Sequence, residues 1–112
     1  MYRILHLTAS PFLGGPERQL LGLSRALSDR CETVCASFAE GGSARPFLDA
    51  ASNAGLISIE LVSNYPHYFA VQSELTQLIR SNRTQVLFTH GYKGNIFGVI
   101  AAKRLGIPVV SV

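Results

Sequence analysis

The fold of this chain is decided by the stretch TASPFLGGPERQLL (Thr8–Leu21), which joins an apolar run to a segment with helical spacing. The preceding run, Tyr2–Leu7, consists mostly of large apolar residues, as in a strand buried on both faces of a parallel sheet. After the stretch, apolar residues recur at helical spacing and predict an amphipathic helix from about Pro16 to Ser28. Its apolar stripe consists of Leu20, Leu21, Leu23 and Leu27. The chain therefore passes from a buried strand through a glycine pair into a helix.

The glycine pair, Gly14 and Gly15, permits backbone angles that side chains forbid and lets a ligand approach the main chain closely. Pro16 suits the first helical turn. The amides of Gly15, Glu17 and Arg18 then lie at the positive end of the helix dipole and form a candidate anion site. An ordinary strand-to-helix turn has the same pattern, and the Glu17 carboxylate would repel a nearby phosphate, so both interpretations stay open. The dinucleotide fingerprint G-x-G-x-x-G is absent from the sequence.

The composition is typical of one globular α/β domain, with 112 residues, 47% hydrophobic and 15% charged. The net charge of +3 comes with basic residues spread along the chain, so we expect no nucleic-acid partner. Cys31 and Cys35 have no second pair or nearby histidine, and we expect free thiols and no metal site. No apolar segment reaches the length of a membrane span, which predicts a cytoplasmic protein. Contact with the inner face of a membrane stays open.

Strand-like and helix-like patterns alternate through the rest of the chain. The predicted strands are Glu32–Phe38, Leu56–Val62, Val86–Thr89 and Val109–Val112. The predicted helices open at Pro46, Tyr68 and Asn95, and the last of them has Asn95 as its N-cap and an apolar face of Ile96, Val99, Ile100 and Leu105. Such alternation calls for a doubly wound, Rossmann-like parallel sheet with helices on both faces and strand order 3-2-1-4-5.

In that order the first and fourth strands are neighbours, and a crevice opens at their carboxyl ends, where ligands of such sheets bind. The loops Ala9–Gly15 and His90–Asn95 should meet there. His90 is the candidate catalytic residue, because an imidazole can donate to a hydroxyl or stabilise developing charge; a structural histidine at a strand end is the alternative. Tyr92 and Lys93 are tentative acceptor-binding residues, with solvated surface residues as the alternative.

Two further histidines have less specific surroundings. His6 lies in the middle of the first strand, and we interpret it as a core histidine with one satisfied nitrogen. His67 lies in a loop between two tyrosines. This loop either lines an acceptor pocket or is an ordinary exposed loop, and both interpretations stay open.

The segment Ile4–Leu7, followed by Gly14–Glu17 and the leucine helix, resembles the opening of family 4 glycosyltransferases, which are retaining enzymes of the GT-B fold. The later segments Val86–Lys93 and Ala101–Val110 resemble the next landmark of that family. The resemblance extends over essentially the whole chain. It implies two Rossmann-like domains that face each other across a cleft. The N-terminal domain chiefly binds the acceptor, and the C-terminal domain binds the sugar nucleotide.

The resemblance also implies roles for individual residues. Gly14 and Gly15 would approach the donor diphosphate, and His90 would contact the transferred sugar. No cofactor is expected, because the nucleotide sugar is a substrate; the acceptor would be a glycan, a lipid-linked molecule or a small polyol. The family often has a second histidine two positions before His90, where this chain has Phe88, so a paired-histidine role is unsupported.

The C-terminal donor-binding half that such enzymes contain is missing from these 112 residues, and the chain ends in a hydrophobic strand. We therefore expect residues 1–112 to be a partial, truncated N-terminal domain that is inactive alone and prone to self-associate. Two other classes stay open. One is a free-standing flavodoxin-like binding or signalling module, although the receiver type needs an acidic cluster where this chain has Thr8-Ala9-Ser10. The other is part of a nucleotide-sugar epimerase.

Overall fold

Five parallel strands and four α-helices alternate along the chain in the computed structural model, which describes residues 2–9 and 14–112. The strands are β1 (Tyr2–Thr8), β2 (Cys31–Phe38), β3 (Ile57–Leu61), β4 (Val86–Thr89) and β5 (Val109–Ser111). The helices are α1 (Gly15–Ala26), α2 (Arg45–Asn53), α3 (Tyr68–Ser81) and α4 (Gly91–Leu105), with one turn of 3-10 helix at Glu40–Gly42. The strand order is β3-β2-β1-β4-β5, which confirms the predicted doubly wound, Rossmann-like fold.

Strand β1 is the centre of the sheet and determines which strand ends meet. It pairs with β2 on one side, and on the other with β4, from Ile4 opposite Val86 to Leu7 opposite Thr89. All pairings are parallel, so the carboxyl ends of β1 and β4 lie at the same edge of the sheet.

Each face of the sheet carries its own hydrophobic core. One core contains Leu5, Leu7, Val34, Ala36, Phe38, Leu61 and Leu87 of the strands with Val71, Leu75, Ile79, Phe97, Ala101 and Ala102 of α3 and α4. The other core contains Cys35 of β2, Leu20 of α1, the α2 residues Phe47, Leu48 and Ala51, and Ala44, which is the N-cap of α2. Val34 and Cys35 are neighbours in β2 yet belong to different cores, because successive side chains of a strand point to opposite faces. The helices therefore cover both faces, as predicted.

Helix α4 begins at Gly91, four residues before the predicted N-cap Asn95. The N-cap is His90, and the segment predicted as a loop forms the first helical turn. The reason is close packing: a Cβ atom on Gly94 would lie 3.0 Å from the carbonyl oxygen of Leu7 in β1. From the sequence alone, a glycine that lets a helix approach a strand this closely looks the same as a glycine in a loop.

The apolar face predicted for α4 is wrong in part, since only Leu105 of its four residues packs against the described core. Ile96 and Ile100 are 43% and 47% exposed, whereas Phe97 faces the core. The buried residues of the helix are Gly94, Phe97, Gly98, Ala101 and Ala102. Small residues face the sheet because there is no room for larger ones: a Cβ atom on Gly98 would lie 2.4 Å from Cγ2 of Thr89.

The other boundaries agree with the predictions to within two residues. Gly55 follows α2 and Gly106 caps α4, both with the left-handed backbone angles that glycine commonly adopts at helix ends. In α1, Leu20 is buried, but Leu23 is 58% exposed, so the apolar stripe of this helix is narrower than predicted.

Candidate functional site

A crevice of about 390 Å³ opens where the carboxyl ends of β1 and β4 meet, at the position predicted from the strand order. It is lined by Thr8, Ala9, Glu17, Leu20, His90, Gly91 and Val112. The two predicted loops thus meet at Ala9 and His90, while residues 10–13 lie outside the described residues. A larger groove of about 890 Å³ runs along α3 and α4 and shares no lining residue with the crevice. We place the site in the crevice, because it contains the convergent strand ends and a titratable side chain.

His90 is held at the crevice by its backbone and by its ring. Its backbone N–H donates to the carbonyl oxygen of Leu7 at 2.9 Å, and this hydrogen bond connects the end of β4 to β1. Burial lowers the pKa of His90 from its ordinary value, and the nearby Glu17 carboxylate opposes part of that decrease. The ring is therefore neutral near pH 7, with one nitrogen that donates and one that accepts.

His6 is the site residue that sequence reasoning missed. It is buried, with 7% of its surface exposed, and its Nδ1 lies 2.9 Å from Nε2 of His90. The prediction of a core histidine with a satisfied nitrogen is confirmed, but the partner is the candidate catalytic residue. Burial, and then the proximity of His90, lower the pKa of His6 to about 4.

The signal that could have revealed this pair is the strand register. His6 pairs with Phe88 in β4, and His90 follows two positions later. Side chains alternate along a strand, so these three residues lie on the same face. The His6 ring lies 5.0 Å from the Phe88 ring and 5.1 Å from the His90 ring. A histidine from the neighbouring strand thus lies beside His90, although position 88 itself holds phenylalanine.

The glycine turn has fewer free amides than the sequence suggested. Gly14 is the N-cap of α1, and its N–H donates to Oε1 of Glu17 at 2.8 Å. The N–H of Arg18, one of the three predicted anion donors, donates to the Gly14 carbonyl at 3.0 Å and is already used. The N–H groups of Gly15 and Glu17 donate to no backbone carbonyl of the described residues and are the candidate helix-start donors. A Cβ atom on Gly15 would meet no described atom within 4 Å, so packing does not require glycine at this position.

Lys93 and Tyr92 do not line the crevice. The ammonium group of Lys93 is paired with the Glu40 carboxylate, donates to Oδ1 of Asn64 at 2.8 Å and lies 5.0 Å from the centre of the Phe38 ring. These contacts tie α4 to the ends of β2 and β3. Tyr92 is 84% exposed beside the apolar outer face of α4. Neither residue lines the crevice with His90, and their acceptor-binding role stays a prediction.

The remaining titratable groups do not form a second site in the described part of the chain. Among residues 2–9 and 14–112, no three His, Cys, Asp or Glu side chains come together as a metal would require. Cys31 and Cys35 are both free thiols, and burial raises the pKa of Cys35 to about 12. None of the described helices is long and apolar enough to cross a membrane.

The sequence of this chain matches the model of a known protein family. The family model described as Glycosyltransferase Family 4 matches residues 13–112, which is most of the chain. The chain belongs to glycosyltransferase family 4. This confirms the family that the glycine turn and the His90 region indicated. A search of curated proteins finds no significant match to this family 4 domain.

Solved structures share the fold of this family 4 domain at low sequence identity. A glycosyltransferase from Rickettsia africae matches with a TM-score of 0.77 at 16% identity, over 98% of this chain and 29% of that one. HepE from Anabaena in complex with UDP matches with a TM-score of 0.75 at 21% identity, over 97% and 28%. The UDP-GlcNAc 2-epimerase from Neisseria meningitidis bound to UDP-GlcNAc matches with a TM-score of 0.72 at 15% identity, over 98% and 32%. The chain spans about 30% of the length of these three proteins.

Proposed function

We propose that this family 4 domain is the acceptor-side part of a two-domain, retaining glycosyltransferase that transfers a sugar from a nucleotide-sugar donor. The observation that carries the proposal is the crevice between β1 and β4, where His90 and the N-terminal turn of α1 line the same space. The family match supports a glycosyltransferase, and HepE in complex with UDP supports a nucleotide-linked donor. Because the chain spans about 30% of its structural relatives, we also propose that a donor-binding domain is supplied outside these 112 residues and that the chain alone is inactive.

The proposed role of the Gly14–Gly15 turn is to approach the donor diphosphate. The N–H groups of Gly15 and Glu17 lie at the positive end of the α1 dipole and would donate to phosphate oxygens. The Glu17 carboxylate already accepts from Gly14. A diphosphate would therefore sit over Gly15, away from that carboxylate, where no described atom would lie within 4 Å of an added Cβ.

The proposed role of His90 is to bind a hydroxyl of the transferred sugar. A neutral ring N–H donates to a hydroxyl without bringing a full charge into the crevice. A volume of about 390 Å³ lies near the lower end of the range for ligand pockets and suits one sugar ring better than a whole sugar nucleotide. A positioned donor that binds more strongly in the transition state raises the rate of transfer. The nucleotide sugar is a substrate, so the proposed reaction needs no cofactor.

We further propose a cytoplasmic location, with a glycan, a lipid-linked molecule or a small polyol as acceptor. A lipid-linked acceptor would bring the domain to the inner face of a membrane. Phe69 is 93% exposed beside the half-exposed Tyr68, and the same groove is lined by Arg80 and Arg104. Exposed aromatic rings next to basic residues favour an anionic lipid surface. Cosedimentation with anionic vesicles, with neutral vesicles as the control, tests this contact.

The test of the proposed function uses the longest open reading frame that contains this sequence, which we expect to be about three times the length of the chain. The purified protein is incubated with a panel of sugar nucleotides and acceptors. Release of nucleoside diphosphate is measured, and NMR gives the anomeric configuration of the product. We expect acceptor-dependent turnover with retained configuration, and none from the 112-residue chain alone. His90→Ala should lower turnover about 100-fold.

Two outcomes would contradict the proposal. An open reading frame that stops at Val112, with no turnover, would favour a free-standing binding module. Epimerisation of a UDP-sugar without an acceptor would favour the second candidate, a nucleotide-sugar epimerase, which the similarity to the Neisseria meningitidis enzyme keeps open.

A further inference from the structure

The contact between the two histidine rings determines which nitrogen of His90 carries a proton. Nδ1 of His6 lies 2.9 Å from Nε2 of His90, within hydrogen-bond distance. Between two neutral imidazoles, one nitrogen must donate and the other must accept. The hydrogen bond that one ring nitrogen makes sets the protonation of the other nitrogen in the same ring. The direction of this single bond therefore fixes the tautomer of His90.

Both rings are held in place, so the bond is a built feature of the fold. His6 lies in the central strand β1, hydrogen-bonded to strands on both sides, and its ring packs against Phe88. The His90 backbone N–H donates to the Leu7 carbonyl, one residue beyond His6 in the same strand. The backbone of β1 thus positions both members of the pair.

The surroundings of His90 favour one direction of the bond. Nε2 is occupied by His6, which leaves Nδ1 as the ring nitrogen that can serve a ligand in the crevice. His90 is the N-cap of α4, where a side chain often accepts from the first helical amides, but its ring makes no such bond in the described structure. Nδ1 is therefore not required as an acceptor. The Glu17 carboxylate lines the same crevice, and its negative charge favours a proton on the His90 nitrogen that His6 leaves unoccupied.

We propose that His6 is a positioning residue: it donates its Nδ1 proton to Nε2 of His90 and so holds His90 in the tautomer with the proton on Nδ1. From Nδ1, His90 donates to a hydroxyl of the substrate. The identity of that hydroxyl rests on the proposed function, whereas the tautomer is a property of this chain alone. His6 acts through His90 and does not itself touch the substrate.

The first test reads the tautomer directly in the 112-residue chain. Long-range ¹H–¹⁵N NMR correlations at pH 7 distinguish protonated from unprotonated ring nitrogens. We expect His90 to be protonated at Nδ1 and bare at Nε2. His67, which is exposed in the loop before α3, is the internal reference and should show an ordinary mixture of tautomers. A His90 protonated at Nε2 would overturn the proposal, and this measurement needs no variant.

The second test removes the donor. In His6→Phe we expect His90 to lose its single tautomer and to resemble His67. In His6→Asn the amide nitrogen lies near the former Nδ1 position and should restore the original pattern. An unchanged His90 tautomer in a folded His6→Phe chain would overturn the proposal. If His6→Phe does not fold, the His6→Asn spectrum and the wild-type spectrum still decide the direction of the bond.

The third test measures the consequence in the longer transferase. His6→Phe should lower kcat on the order of 10- to 100-fold, and His6→Asn should recover part of it. The double variant with His90→Ala should be no slower than His90→Ala alone, because both changes remove one function. A wild-type rate in His6→Phe would overturn the positioning role. Absence of any wild-type turnover would instead count against the proposed function and leave the tautomer measurement valid.

Discussion

Replacing Gly98 by alanine should destabilise the domain, although alanine favours a helix more than glycine does. The new Cβ atom would lie 2.4 Å from Cγ2 of Thr89 and 3.3 Å from Cδ2 atoms of Leu7 and Leu87. Thr89 cannot withdraw, because it is fully buried and its Oγ1 donates to Oδ1 of Asn95 at 2.6 Å. Helix propensity contributes a gain of about 1 kcal/mol. Overpacking costs about 1–3 kcal/mol, and so close an overlap belongs to the upper part of that range, so we expect a net loss of about 1–2 kcal/mol in the free energy of unfolding.

Urea denaturation followed by circular dichroism measures this change, and a loss of that size should lower the midpoint by several tenths of a molar or more. Gly22→Ala in α1 is the matched control: it is also helical, but its Cβ atom would meet no described atom within 4 Å, so it should stabilise the domain by up to about 1 kcal/mol. Thr89→Ser removes Cγ2 and keeps the hydroxyl, so combining it with Gly98→Ala should relieve the collision. A Gly98→Ala variant as stable as Gly22→Ala would refute the close approach of α4 to the sheet.

Three further predictions follow from burial and exposure. Folding lowers the pKa of His6 from 6.5 to about 4, so the unfolded chain binds the proton more tightly. Stability should be complete above pH 6.5 and fall by about 3 kcal/mol as the pH drops to 4. His6→Phe should flatten this dependence in urea titrations, and an unchanged dependence would contradict the lowered pKa of His6. Iodoacetamide at pH 8 should modify Cys31 and spare Cys35, which is fully buried; labelling of native Cys35 would contradict that burial. The isolated chain should self-associate through β5 and the adjacent exposed apolar face of α4, and Ile100→Lys should weaken this association in sedimentation; a wild-type chain that is monomeric at all concentrations would be evidence against it.

Much of this protein could be predicted from local patterns. The apolar run before the glycine pair identified β1, and the alternation of strands and helices predicted the parallel sheet and its order. That order predicted the position of the crevice at His90, because the carboxyl ends of adjacent parallel strands lie at the same edge of the sheet. These features depend on neighbouring residues, which is why periodicity and turn chemistry suffice to predict them.

Only the tertiary structure decided the features that join distant parts of the chain. The pairing of His6 with His90 depends on the register between β1 and β4, which local periodicity does not specify. The early start of α4 depends on the approach of Gly94 to β1, and the pairing of Lys93 depends on Glu40, 53 residues away. The hydrophobic pattern predicted the wrong core-facing side of α4. Close packing of the helix against the sheet requires small residues there, and these are not the most apolar residues of the helix. The sequence by itself determined the elements and their order, whereas their separations, which decide the chemistry of the crevice, arise only when the elements pack.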